Sequence, residues 1–288
     1  MKNLNKNFGI VSALLLISSS MIFAKDVRHK EYDFTADKRM PLKIRLTVDA
    51  AEVKIKPGDD DRDIHLSFRF DDRRYEVSVR FDEDENVLEA YFDIKKWFKD
   101  EDHDEKSSAR VLVELPYDVP IKLNCRTKAG ETDIELGDLR IRDFSLRVLA
   151  GETFLAFSKP NRERMKELTI ETKIGELVTE KLGNANFEFA QIDGNIGELS
   201  IDLTGDIERK QDREIDMSLN IGQTRVYLSK DDAVRFKVSK FLFLSNVDMP
   251  FEYTREGKNY YSENYDDAKY KTLISVSPGL GTLDIRLR

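Results

Sequence analysis

A short glycine phrase recurs through the second half of the chain and governs what it can fold into: Ala129-Gly130-Glu131, Ala150-Gly151-Glu152, Ile174-Gly175-Glu176, Ile196-Gly197-Glu198, Ile221-Gly222-Gln223 and Leu280-Gly281-Thr282. Successive glycines stand 21, 24, 22, 25 and 59 residues apart. Spacing in the twenties marks stacked units in which each covers the apolar face of its neighbour. The last interval holds an insertion.

The residues around each glycine share a phase. The fourth and sixth following positions are Ile134 and Leu136, Leu155 and Phe157, Ile201 and Leu203, Val226 and Leu228, and Ile285 and Leu287. The first, fifth and seventh preceding positions, such as Ile221, Met217 and Ile215, are expected to face the same side. A strand therefore leads into each of Gly130, Gly151, Gly175, Gly197, Gly222 and Gly281 and another leaves it. The glycine marks a bend where a Cβ would be strained or would block a neighbouring backbone. In the Gly175 unit the fourth and sixth positions are Thr179 and Lys181, so a register slip is expected to turn Val178 and Leu182 inward instead.

Before this region the period is two, as in Leu42, Ile44, Leu46 and Val48, or Ile64, Leu66, Phe68 and Phe70. Turn-forming and acidic links such as Pro57-Gly58-Asp59 and Asp82 to Glu85 suit antiparallel hairpins. The fold class read from these patterns is all-β: an N-terminal antiparallel meander over residues 25–115, then a glycine-marked β-helix-like stack over 116–288. An aromatic insertion spans 230–272, and the whole forms one continuous fold. Helix is expected to be sparse, with one short turn opened by Pro160.

Residues 1–24 read as a secretory signal: Lys2 and Lys6, an apolar run from Phe8 to Phe23, and Ala24 before the cleavage point. That run of 16 residues is shorter than the roughly 20 a spanning helix needs, so no stable membrane insertion is expected after cleavage. The expected location is periplasmic or secreted. The chain of 288 residues carries a net charge of −8, and removing the two lysines deepens it to −10. Nucleic acid and anionic lipid would repel such a surface, so neither is an expected partner.

One cysteine and three scattered histidines exclude a disulfide framework and leave little for a metal; no metal or cofactor is expected. Cys125 falls in the column of Leu146, Ile170, Ile192, Met217 and Val276, the place of a small buried hydrophobe. Acidic runs at 59–63, 82–85 and 100–105 lack the ligand spacing of an EF-hand and read as solvated links. Trp97 reads as covering the junction between the two sections.

The order Val113-Glu114-Leu115-Pro116, Ala129-Gly130, Ala150-Gly151, Leu182-Gly183-Asn184-Ala185, Tyr261-Ser262-Glu263-Asn264-Tyr265 and Gly279-Leu280-Gly281-Thr282 resembles the toast-rack family, with its LiaF-like and bacterial putative-adhesin relatives. The resemblance covers roughly residues 40 to 288. It implies a bacterial extracytoplasmic protein with a right-handed stack of strands, and brings no catalytic residues with it. LiaF-like proteins carry transmembrane helices before the β domain, which this sequence replaces with a signal.

Two functional readings follow. The first is a noncatalytic, adhesin-like or structural scaffold of the cell envelope, with a stress-related role and an envelope protein or glycan as partner. Its candidate ligand-binding residues are the insertion tyrosines Tyr253, Tyr260, Tyr261 and Tyr265, which suit glycan stacking or a cap over the open end of the stack. The second is a polysaccharide-acting enzyme using Glu180 and Asp202. Stacked strands lie roughly 4.8 Å apart, which would bring two such carboxylates near the roughly 5 Å of a retaining glycosidase.

Overall fold

Alternating side chains and turn residues give the strands in chain order: β1 (Val27–Thr35), β2 (Leu42–Ala50), β3 (Glu52–Pro57), β4 (Asp63–Asp71), β5 (Tyr75–Asp82), β6 (Val87–Ile94), β7 (Arg110–Leu115), β8 (Pro120–Ala129) and β9 (Thr132–Glu135). Then come β10 (Arg140–Ala156), β11 (Met165–Glu180), β12 (Phe187–Asp202), β13 (Arg213–Leu228), β14 (Val234–Val238), β15 (Ser245–Asp248), β16 (Thr254–Glu256), β17 (Asn259–Tyr261) and β18 (Thr272–Leu287). The computed structural model describes residues 27–95, 109–208, 210–239 and 245–288. The signal segment, Trp97, the acidic run 100–105 and the insertion residues Phe241 and Phe243 lie outside the described residues.

The long strands stack in parallel, with the glycine phrase in register. Gly151 lies opposite Gly175, Gly175 opposite Gly197, Gly197 opposite Gly222, and Gly222 opposite Gly281. The rung before β10 is split into β8 and β9, and the one before that into β2 and β3, so pairing crosses residue 116 without a break. β6 and β7 form the next rung in that direction. At the other end the insertion folds back, and β14 and β15 pair in parallel with the outer edge of β18.

The N-terminal section is antiparallel where β1 meets β4, β4 meets β7 and β5 meets β6. Its β2 and β3, however, pair in parallel with both neighbours. A period of two reports which face is buried and says nothing of the partner's direction, which is why the meander expectation covers only part of this section. Antiparallel strands thus sit against β6 and β7 at one end, and β17 sits against β14 at the other, shielding edges that would template further pairing.

The core runs along the stack in columns. One reads Ala90, Leu46, Cys125, Leu146, Ile170, Ile192, Met217, Val276 and Val238, each opposite the next and each no more than 4% exposed. Fully burying one such aliphatic side chain contributes roughly 1.5–3 kcal/mol, and no single coil can do so without its neighbours. Cys125 sits inside this column, and burial pushes its thiol up to about 12, so it stays protonated and inert.

Two expectations fail at the bends. The residues just before the glycines do not turn inward: Ile174, Ile196, Ile221 and Leu280 are 56%, 50%, 49% and 47% exposed. Positions three before and two after each glycine are buried, an odd separation, so the inward parity flips across the bend and leaves the residues beside the glycine outside. In the Gly175 unit, Thr179 stays buried opposite Leu155, and its Oγ1 accepts the backbone N–H of Asp202 at 2.9 Å. Its polar tip is satisfied there, so no slip is needed, and Val178 is only half-buried. Leu182 does turn in, carried by a left-handed Lys181 into a 3₁₀ turn at Leu182–Ala185.

Buried asparagines clasp the connections between coils. Asn161 bonds the backbone N–H and carbonyl of Ile141 and the carbonyls of Glu163 and Ala185. Asn184 donates to the Phe157 carbonyl and accepts from the Asp206 N–H. The short helix expected after Pro160 is absent: residues 158–164 form bends, held by Asn161, and β11 opens at Met165.

Candidate functional site

The glycine bend organises the most regular surface of the protein. On one side of the glycines runs an apolar ladder: Ala129, Ala150, Ile174, Ile196, Ile221 and Leu280, each opposite the next. On the other side runs an acidic ladder, in which Glu152 lies opposite Glu176 and Glu176 opposite Glu198, with Glu131 before them and Gln223 and Thr282 after. These acids are exposed, and among the described residues Glu131, Glu152, Glu176 and Glu198 form no ion pair. One glycine separates the two rows, so their Cα atoms are at most about 7.6 Å apart along each strand.

The Glu180 and Asp202 pair has a different character. Glu180 is exposed, whereas Asp202 is buried. Its Oδ2 accepts from Arg288 at 2.7 Å, and its Oδ1 from the Thr204 backbone N–H and hydroxyl at 3.0 and 2.6 Å. The Arg288 guanidinium in turn lies 3.7 Å over the Tyr227 ring. Asp202 therefore anchors the last residue of the chain, and a carboxylate so occupied is poorly placed to attack a sugar.

The insertion tyrosines fall into two environments. Tyr253 is buried, and burial raises its hydroxyl well above the ordinary tyrosine value. Tyr260, Tyr261 and Tyr265 are half-buried. Tyr260 sits opposite Phe236 of β14 and under Arg255, while Tyr261 meets Tyr265 edge-on at 5.1 Å. The hairpin carrying Tyr260 and Tyr261 turns at Gly257, with φ of 62°. Tyr260 thus packs against the core beside β14, and Tyr261 and Tyr265 pack against each other.

The acidic links in this structure bond their own backbone: Asp60 accepts from Arg62 and Asp63, and Asp82 from Glu85. Among the described residues no group of three or more His, Cys, Asp or Glu is arranged to hold a metal ion, and no helix is long and apolar enough to cross a membrane. A groove of about 400 Å³ crosses β2, β8, β10 and β11, but its Arg45 is paired with Glu89 and its Lys122 with Asp143.

The glycine phrase is legible in the sequence, but alternation places the residue before it in the core. Nothing in its composition announces exposure, since the position is alanine in the first two units and isoleucine or leucine in the rest, residue types that argue for burial.

No curated protein matches the chain. Among solved structures, a putative cell adhesion protein from Clostridium sporogenes ATCC 15579 aligns at 15% identity over 91% of this chain and 100% of its own, with a TM-score of 0.46. A putative adhesin from Bacteroides fragilis NCTC 9343 aligns at 10% identity over 90% and 97%, with a TM-score of 0.33. A putative lipid binding protein from Parabacteroides distasonis ATCC 8503 aligns at 11% identity over 88% and 96%, also at 0.33. Residues 23–180, more than half of the chain, match the N-terminal domain of toast_rack, DUF2154, and the protein belongs to that family.

Proposed function

We propose that this protein is a noncatalytic, adhesin-like binding scaffold of the bacterial cell envelope, acting outside the cytoplasm on an envelope protein or glycan. The observation that carries this reading is the pair of exposed, in-register ladders along the glycine bends. Stacked repeats present the same chemistry at a fixed spacing, which suits an extended partner and not a small substrate. The location rests on the secretory pattern of residues 1–24.

The full chain, incubated with an envelope extract and a glycan panel, is expected to show saturable binding without turnover. Hydrolysis of any glycan that Asp202→Asn abolishes would instead establish the enzyme reading.

A further inference from the structure

The paired ladders also specify the chemistry of what they bind, an inference that rests on the scaffold reading and deepens it. We infer that the glycine bend docks a basic amphipathic helix of a protein partner, lying along the stack and across the strands.

The apolar half comes from Ile174, Ile196, Ile221 and Leu280, four large side chains on four adjacent rungs, each about half exposed. Exposed aliphatics scattered singly are ordinary, but a contiguous row in register marks an interaction surface. The rungs repeat every ~4.8 Å and a helix rises ~5.4 Å per turn. Four rungs span roughly 14 Å, against roughly 16 Å for the matching three turns of helix. One apolar side chain per turn, at the i, i+4, i+7 and i+11 positions, therefore meets one rung with little loss of register.

Charge selects the partner. Glu176 and Glu198 flank Ile174 and Ile196, and the acidic row continues through Glu152 and Glu131 past Ala150 and Ala129; carboxylates stacked at strand spacing repel one another unless cations lie against them. Glu131, Glu152 and Glu176 also rim a cavity of about 270 Å³ in which Phe154, 38% exposed, and Val178 contribute apolar surface. Carboxylates around an aromatic ring suit the stem and cationic head of a Lys or Arg. A second copy of this acidic chain would set glutamates against glutamates, and an anionic membrane would be repelled by the same row.

The test uses the full chain and a labelled synthetic helix of roughly 18 residues. It has Leu once per turn and Lys and Arg on the adjoining face, and a scrambled peptide of the same composition serves as control. Saturable one-to-one binding is expected, roughly tenfold or more tighter than to the scramble. It should weaken by a similar factor in the triple variants Ile174→Ser/Ile196→Ser/Ile221→Ser and Glu152→Gln/Glu176→Gln/Glu198→Gln, and fall as salt rises. Both variants alter exposed side chains only, and an unchanged Tm establishes that each is folded.

No binding, equal binding of helix and scramble, or undiminished binding by the folded variants would each overturn the inference. So would sedimentation showing a dimer that the isoleucine variant dissolves. The broader reading fails separately: an envelope ligand that both triple variants still capture leaves the scaffold standing and removes the helix, whereas glycan hydrolysis abolished by Asp202→Asn removes the scaffold.

Discussion

The carbonyl oxygen of Gly175 occupies the place where a Cβ on Gly197 would stand, 1.7 Å from that ideal position, and Gly197 itself has φ of 145°. The same relation links Gly222 to Gly197 and Gly281 to Gly222, at 1.8 Å each. The bend thus combines a left-handed backbone with direct backbone contact between coils, and only glycine meets both demands. Gly197→Ala is expected to lower stability by roughly 3 kcal/mol or more. Gly257→Ala, also at positive φ but with open space around it, should lower it by about 1 kcal/mol. Denaturant unfolding of both variants tests this, and similar losses would show that backbone contact is not the reason for the repeat.

Asn161 should behave as a clasp. Its side chain makes four hydrogen bonds to backbone of three segments at 3% exposure. Asn161→Ala strands buried N–H and carbonyl groups and is expected to destabilise by roughly 2–4 kcal/mol. A Tm within a degree of the parent protein would contradict that role.

Acid should loosen the surface network. Lys38, with Arg140 and Arg162 nearby, holds the Asp118 carboxyl below the ordinary range. Arg39 holds Asp37 at about 2, Arg73 lowers Asp71 and Lys173 lowers Glu171. Because these folded values lie below the unfolded ones, their stabilisation is fully present above about pH 4.5 and is lost as the pH falls through the folded values. Each pair is solvent-screened and individually small. Tm is expected to drop as pH falls from about 4 toward 2, and Asp118→Asn should narrow the difference in Tm between pH 7 and pH 3. An unchanged difference would count against the network.

Tyr253 offers the converse case. Its hydroxyl is buried and has no hydrogen-bond partner among the described residues. Removing an unsatisfied buried group while keeping the ring is nearly neutral or favourable, so Tyr253→Phe should leave Tm unchanged or raise it. Tyr260→Ser with Tyr261→Ser should lower it, since Tyr260 packs against the core and Tyr261 against Tyr265. If the double variant kept its Tm and lost an envelope ligand, the rings would be binding residues after all.

The column of Leu146, Cys125 and Ile170 was readable in advance because side-chain periodicity and glycine spacing are local properties of the chain. The same periodicity misplaces Ile174, Ile196 and Ile221, because alternation breaks between the third and the first position before each glycine, so a count carried up to the bend predicts the wrong face. It also left Asp202 as a candidate acid, since nothing near it in sequence announces Arg288, 86 residues away.

By itself, then, the sequence determined that short strands must pile into coils and, away from the bends, which side chains fill them, since turn chemistry and alternation act between near neighbours. Tertiary structure alone decided that β2 and β3 enter the stack, that β14 folds back beyond β18, and that two ladders stand outside the bends. Those outcomes depend on which strands meet across long separations, where loop closure and edge pairing act and local pattern carries no information.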